Sequence, residues 1–150
     1  MAAIPKCSVF IATSLDGFIS RIDGCIDWLD LANNRVPKGE DCGYEQFMST
    51  VDALVMGRHT FELVKSFGNW PYGQTPVLVL SSRMRSLPGG LPKTVRLSNE
   101  APSTIVARLS AEGMGHLYID GGLTIRRFLS DALIDEVTIT TIPVLIGSGR

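Results

Sequence analysis

Val55-Met56-Gly57-Arg58-His59-Thr60 and Ile119-Asp120-Gly121-Gly122-Leu123-Thr124 share one pattern: an apolar run ends in glycine and a polar segment opens a helix. A glycine directly after a strand lets another backbone or a ligand approach closely. The helix that follows aims its unpaired N–H groups and positive dipole end at that spot. In the first segment Gly57 supplies the turn, Arg58 a cation and Thr60 a hydroxyl within the first helical turn. The second repeats the design with the Gly121-Gly122 pair, Leu123 beside it and Thr124 as its hydroxyl. Two such sites suit a pyrophosphate. A third junction, Leu80-Ser81-Ser82-Arg83, offers two hydroxyls and a guanidinium. That group suits a phosphate monoester, because Arg binds it bidentately and stays charged. One strand–Gly–helix turn is common punctuation; two of them together with the Ser81-Ser82-Arg83 junction argue for an anionic ligand.

Around these junctions short apolar runs alternate with helical patterns, with no linker, low-complexity tract or repeat between them. Strands are expected at Cys7 to Ser14, Ala53 to Met56, Val77 to Leu80, Thr94 to Leu97, Leu117 to Ile119 and Glu136 to Ile142. Helices are expected near Tyr44 to Thr50, from Arg58 to Lys65 and from Pro102 to Glu112, with Pro102 suited to a first turn and Gly113 to a stop. A fourth carries Ile125, Phe128, Leu129 and Ala132 at i, i+3, i+4 and i+7, one stripe facing a sheet. Strand–helix–strand alternation implies parallel neighbours in a single α/β domain, with ligands at the carboxyl ends of the strands.

The 150 residues set a prior of one domain, and 45% hydrophobic with 19% charged residues is the composition of a soluble globular protein. A net charge of −1 provides no basic field for nucleic acid. No apolar stretch is long enough to span a membrane and no cleavage pattern follows the first residues, so a cytoplasmic protein is expected. Cys7, Cys25 and Cys42 are odd in number and fit neither a disulfide framework nor metal pairs; each reads as a reduced, small buried hydrophobe. With only two histidines, no histidine-based metal site or triad is expected: His59 reads as a solvated helix residue and His116 as a strand-edge residue. The G-x-G-x-x-G, P-loop, G-x-S-x-G and H-E-x-x-H motifs are all absent.

Taken in order and spacing, the junctions resemble the dihydrofolate reductase fold, and within it the reductase domain of bacterial riboflavin biosynthesis, the RibD C-terminal domain, with its stand-alone relatives. The resemblance rests on Ser14-Leu15-Asp16-Gly17-Phe18-Ile19, Val55 to Phe61, Leu80 to Arg83, Tyr118 to Gly122 and the closing Ile142-Pro143-Val144-Leu145-Ile146-Gly147-Ser148-Gly149. It implies a three-layer αβα fold with a mainly parallel central sheet, and NADPH as cofactor. Residues matching Gly57, Arg58 and Thr60 meet the cofactor's phosphate end in that family, those matching Ser81, Ser82 and Arg83 its adenosine 2'-phosphate, and those matching Gly121 and Gly122 its pyrophosphate. The loop matching Leu15 to Ile19, including Gly17, borders the nicotinamide, and Asp16 is the carboxylate nearest the chemistry. An Asx-type turn ahead of Gly17 is the structural alternative for Asp16.

The sequence departs from dihydrofolate reductase where that enzyme carries its helix carboxylate: Gly43 falls there, with Asp41, Tyr44 and Glu45 as neighbours, which argues against folate. Relatives also carry roughly another strand pair after the Gly-Ser-Gly, so the last strands of the family are expected to be lacking. The leading expectation is an NADPH-dependent reductase acting on a small heterocycle, a pterin, pyrimidine or related carbonyl compound. Its pocket walls would be Asp27, Trp28, Phe47 and Trp70, since flanking aromatics stack on a planar ring. Two other readings stand beside it: a nucleotide-binding or assembly module without turnover, and a structural oligomer subunit. A homodimer is expected, because the last strand alternates Val137 and Ile139 with Thr138 and Thr140 and nothing after it covers its edge.

Overall fold

Runs such as Ala-Leu-Val-Met and Val-Leu-Val-Leu carry no polar alternation, so as strands they must be covered on both faces. The computed structural model, which describes residues 3–150, arranges them in that way. Six strands form one sheet: β1 (Lys6–Ser14), β2 (Ala53–Gly57), β3 (Val77–Leu80), β4 (Val95–Ser98), β5 (His116–Asp120) and β6 (Glu136–Ile142). Their order is β4-β3-β2-β5-β1-β6, and every neighbouring pair is parallel. Five helices accompany them: α1 (Asp27–Asn33), α2 (Tyr44–Met48), α3 (Arg58–Ser66), α4 (Pro102–Ala111) and α5 (Gly122–Ser130).

Alternate residues of the strands feed two cores. Cys7, Val9, Ala53, Val55, Leu117 and Ile119 meet Ile105 and Leu109 of α4 and Ile125 and Phe128 of α5. On the opposite face Leu54, Met56, Val77, Val79 and Tyr118 meet Phe61 of α3, with Phe47 and Met48 of α2 packed against them. The result is three layers. The chain winds outward from β2 to β4, returns to insert β5 between β2 and β1, and then steps over β1 to β6. Such a reversal leaves a crevice at the carboxyl ends of the central strands, where ligands of open α/β sheets bind.

Several expectations need correction. Helix α1 was not anticipated; it is seven residues long, has no side-chain cap, buries only Trp28 and leaves Leu31 exposed, so it shows no apolar stripe. The stripe on α5 is narrower than expected: Ile125 and Phe128 are buried, Leu129 is exposed, and Ala132 lies beyond the helix at φ 55°. Of the cysteines, all free, only Cys7 is buried; Cys25 and Cys42 are exposed in the long β1–β2 connection. Burial, then the charge of Asp135, raises the Cys7 thiol to about 11, which keeps it protonated and unreactive. His116 opens the interior strand β5 rather than a sheet edge, and its ring contacts the Ser8 hydroxyl (2.8 Å) and the Thr50 carbonyl (3.0 Å).

Beyond β6, residues 143–150 turn back along the loop after β1. The Leu15 N–H donates to Val144 O (2.8 Å), Ile19 N–H to Arg150 O (2.7 Å) and Arg150 N–H to Ser20 O (2.9 Å). Strand β6 therefore pairs only with β1 among the described residues and exposes Val137 (46%) and Ile139 (53%). No helix among the described residues is long and apolar enough to cross a membrane.

Phe128 is wholly buried between α5 and the sheet. Phe128→Ala should cost about 3–5 kcal/mol, a lost transfer term plus a residual cavity. Urea denaturation should read this as a lower midpoint with unchanged slope.

Candidate functional site

Because Met56 and Asp120 are register partners, Gly57 and Gly121 leave the sheet side by side. Each is the N-cap of its helix, α3 and α5, and neither helix has a side-chain cap hydrogen bond. Their first-turn N–H groups are thus available at one place. The two junctions lock together reciprocally. A Cβ on Gly57 would stand 2.8 Å from Thr124 Oγ1, and a Cβ on Gly121 would stand 2.5 Å from Thr60 Oγ1 and 3.7 Å from the Gly57 nitrogen. A Cβ on Gly122 would meet Ile19 Cδ1 at 2.9 Å. Gly121 also has φ 93°, which side chains rarely adopt. The glycines let two helix N-termini and the loop after β1 converge more closely than any other residue would allow. A pyrophosphate fits the chemistry of that cradle: paired backbone donors and two positive dipole ends at one place, with the Thr60 hydroxyl beside them.

The third junction continues the row, since β3 neighbours β2. The Ser81 N–H donates to Ser98 O (2.9 Å), and the Ser81 hydroxyl accepts the N–H groups of Arg83 (3.1 Å) and Met84 (3.0 Å). Ser81 therefore shapes the turn that presents the exposed Ser82 and Arg83. Arg83 makes no ion pair among the described residues, whereas Arg58 is held to Glu62 at 3.1 Å. Of the residues expected at the cradle, Gly57, Thr60, Gly121, Gly122 and Thr124 come together. Leu123 projects 66% exposed beside them. Thr124 needs a correction: it is buried against Gly57, so its hydroxyl serves the close approach of the helices rather than an open anion site.

Asp16, expected as the carboxylate nearest the chemistry, is a structural tie. It accepts the Ser14 hydroxyl (2.6 Å) and the N–H groups of Gly147 (2.8 Å) and Ile146 (3.3 Å), fastening the loop after β1 to the C-terminal segment. The Ser14 hydroxyl first, and those N–H groups with it, hold its carboxyl below the usual range. A group so stabilised as an anion is a poor proton donor. Gly17 follows at φ 87° with open space beside it, in a turn closed by Ser14 rather than by an Asx-type contact: the Gly17 N–H donates to Ser14 O (3.0 Å) and the Phe18 N–H to the Ser14 hydroxyl (3.0 Å).

The carboxylate that does suit proton transfer is Asp120, the last residue of β5. Burial pushes it up to about 6, against the lowering effect of the Gly121 N–H, which donates to Oδ1 at 2.9 Å. It shares a sheet face with three tyrosines. Burial, followed by the charge of Asp120, raises the hydroxyls of Tyr44, Tyr72 and Tyr118 alike. Tyr118 donates to Phe10 O (3.0 Å). Sequence reasoning read Ile119-Asp120-Gly121-Gly122 for its glycines alone. The available signal was strand alternation, which puts Asp120 on the face of Tyr118.

The four residues expected to wall a substrate pocket are not gathered. Phe47 stacks on Phe10 (centroids 4.9 Å) and meets Tyr118 edge-on, and Trp70 stands edge-on to Phe61 and Tyr72. Both belong to the tyrosine-bearing face. Asp27 is instead spent on Arg21, whose Nε donates to it at 2.6 Å. Trp28 is buried to 2% exposure, so it is packing and not an open wall. Gly43 caps α2 at φ 85°, with Asp41 accepting the N–H groups of Gly43 (2.9 Å) and Glu45 (2.8 Å).

An all-parallel sheet with this strand order and a diglycine cradle beside an uncapped second helix defines a dihydrofolate reductase-like α/β protein. Residues 5–150 match the RibD C-terminal domain, and the chain belongs to that family. It is 38% identical to the uncharacterized protein YwjB of Bacillus subtilis (strain 168) over 151 residues, covering 96% of this chain and 80% of that one. A crystal structure from Shewanella sp. PV-4, described as a candidate riboflavin biosynthesis protein, is 46% identical, with a TM-score of 0.88 over 96% of this chain and 80% of the other. Dihydrofolate reductase from Enterococcus faecalis, complexed with NADP(H), shares the fold at 21% identity and a TM-score of 0.61, over 97% of this chain and 75% of that one.

The reciprocal packing predicts a coupled pair. Gly57 has φ −77°, so an added methyl brings no backbone strain, only the contact with Thr124. Gly57→Ala should cost about 1–3 kcal/mol, and Thr124→Ala in the same chain should return at least about 1 kcal/mol of it. A double-mutant cycle in urea measures this, and additive effects would count against the lock.

Proposed function

We propose that the chain is an NADPH-dependent reductase that lays a dinucleotide phosphate across the carboxyl ends of β3, β2 and β5 and reduces a small planar heterocycle or carbonyl compound. The observation that carries the reading is the convergence of two helix N-termini without side-chain caps over Gly57 and Gly121, one strand away from Arg83, which makes no ion pair among the described residues. The NADP(H) bound by the structurally similar E. faecalis enzyme supports it.

The residue roles follow from position. The first-turn N–H groups of α3 and α5, with Gly57, Gly121 and Gly122, would hold the pyrophosphate; Thr60 keeps the approach tight, and Arg58 adds a cation. Ser82 and Arg83 would take the 2'-phosphate. The loop from Leu15 to Ile19, fixed by Asp16, would border the nicotinamide. A bound reduced nicotinamide supplies the hydride. Asp120 would hold a proton for the substrate atom facing it, and Tyr44 and Tyr72 would flank the substrate ring and limit water. A carboxyl raised to about 6 keeps its proton to far higher pH than an ordinary aspartate, which brings it within reach of general-acid work near neutral pH.

Fluorescence titration tests the cofactor. NADPH should bind about ten- to a hundredfold more tightly than NADH, and Arg83→Ala should remove most of that margin, a charge-assisted contact being worth roughly 1.5–3 kcal/mol. Turnover is then read as NADPH absorbance lost with pterin, pyrimidine and quinone candidates. Binding without oxidation would leave the nucleotide-binding module as the better reading.

Asp120 makes a two-sided prediction. Its folded-state value, about 6, lies above the ordinary 3.8. The stability it contributes is therefore complete below 3.8 and lost as pH rises through 6. Asp120→Asn cannot ionise, so it should exceed the parent in stability at pH 8 by on the order of 2 kcal/mol and show no gain at pH 4. The same variant should lose the fall in rate that the parent shows as pH rises through about 6, since that limb reports a group that must be protonated. Thermal denaturation at both pH values, with the pH–rate profile, checks it.

Self-association belongs to the same proposal. Strand β6, which pairs only with β1 among the described residues and exposes Val137 and Ile139, suits a two-fold pairing that buries the same patch on both subunits. Sedimentation should find a dimer at micromolar concentration. A stable species of 16.3 kDa would overturn this element.

A further inference from the structure

Glu100 lies two residues beyond the end of β4, and β4 is the strand whose Ser98 carbonyl accepts the Ser81 N–H that opens the Ser81–Arg83 turn. The Glu100 carboxylate accepts the Ser98 hydroxyl at 2.7 Å, so one residue, Ser98, separates it from the turn assigned above to the 2'-phosphate. Left free, it would act against that ligand in two ways: by repelling the phosphate, and by drawing Arg83 into an ion pair. A free acidic residue near an adenosine ribose is also the device by which dinucleotide sites accept a 2'-hydroxyl and exclude a 2'-phosphate.

Glu100 is not free. Arg108, on the second half of α4, donates to it from Nε (3.0 and 3.3 Å) and from Nη2 (2.6 Å), and the Ser98 hydroxyl donates at 2.7 Å. Arg108 Nη1 also reaches Glu112 at 3.4 Å, which Arg96 grips at 3.1 and 2.7 Å. The two guanidinium groups and two carboxylates balance in charge, and no positive charge is taken from Arg83, which makes no ion pair among the described residues.

We infer that Arg108 is a positioning residue for cofactor choice: by occupying Glu100 it masks an acidic group that would otherwise favour NADH, and leaves Arg83 available for a 2'-phosphate. The inference rests on the cofactor reading above. Arg108 touches no ligand itself; it acts by fixing where the Glu100 carboxylate points and how much of its charge reaches the turn. Because the pair is half-exposed, its own contribution to stability is small. Its consequence is the local potential at the rim, where interactions between partly solvated charges are worth a factor of several in affinity.

The experiment is equilibrium binding to the full chain at low ionic strength, with 2',5'-ADP and 5'-AMP as probes beside NADPH and NADH. Arg108→Met, which keeps the helix-compatible stem, should lower the NADPH-to-NADH preference by about fivefold or more, chiefly by weakening NADPH and 2',5'-ADP. Glu100→Gln should move the preference the other way, because Arg96 and Arg108 then face Glu112 alone and the cluster carries a net positive charge. The double variant R108M/E100Q should return close to the parent ratio. A merely structural pair would lower the melting temperature of R108M and leave all ratios unchanged, and that result would overturn the inference. If R108M does not fold, E100Q alone decides: a preference that stays level or falls would overturn it. A parent chain binding neither dinucleotide would overturn the cofactor reading, and this inference with it. A parent preferring NADPH whose variants keep the same ratio would overturn this inference alone.

Discussion

The reciprocal contact between Gly57 and Thr124 and between Gly121 and Thr60 sets the geometry on which the rest of the site depends. It is steric rather than adhesive: two hydroxyl-bearing side chains occupy the volume where the opposing junction has no Cβ. Since β2 and β5 are hydrogen-bonded neighbours, their spacing is fixed near the usual 4.8 Å of a sheet. Both α3 and α5 must start within that spacing, and only glycine lets the turns pass each other. The crossover that brings β5 back between β2 and β1 exists to put these two starts together. The same contact explains why the cradle and the fold cannot be separated at Gly121, where φ is 93° and the nearest neighbour is Thr60.

Electrostatics divide the crevice into two parts. Along β2 and β3 the groups are cationic or neutral donors: the N–H groups that open α3, Ser82 and Arg83. Toward β5 and α2, Asp120 sits among tyrosines whose hydroxyls are kept protonated by burial and by its own charge. A half-buried carboxylate beside aromatic rings is unfavourable for folding once it ionises. Perturbed carboxyls of this kind concentrate at functional sites, which is why the proposed function gives Asp120 the proton. Asp16, Asp27 and Asp41 carry the opposite signature: each is held below the ordinary range by hydrogen-bond donors and each fastens a loop or a helix start.

What the sequence disclosed and what it hid follow from the same distinction. The fully buried strands were legible because an apolar run between turn signals has few other uses. The glycine junctions were legible because glycine after a strand is informative whatever surrounds it. The partners of a carboxylate are not local. Asp16 looked chemical from its place beside Gly17, yet its ligands at 146 and 147 come from the far end of the chain. Asp120 looked like part of a turn, and only the packing of α2 and of the loop bearing Tyr72 reveals its burial. Helix α1 escaped for an energetic reason: seven residues with no cap do not sustain a helix alone, and its burial of Trp28 is a tertiary fact.

Asp16 also links two parts of the molecule that the sheet does not join directly. Strand β6 pairs with β1 along seven register positions, and the segment after it returns to the loop after β1 through Asp16, Leu15, Ile19 and Arg150. Ile19, which this loop presents, is the side chain that meets Gly122 in the cradle. The C-terminal segment therefore reaches the cradle through one intermediary: it positions the loop, and the loop places Ile19 against Gly122. With Asp16 ionised, the Gly147 and Ile146 N–H groups have their acceptor and the loop is held closed. The conformation of the loop expected to border a nicotinamide is thus set by the far end of the chain, so that the edge of the sheet and the mouth of the cradle form one mechanical unit.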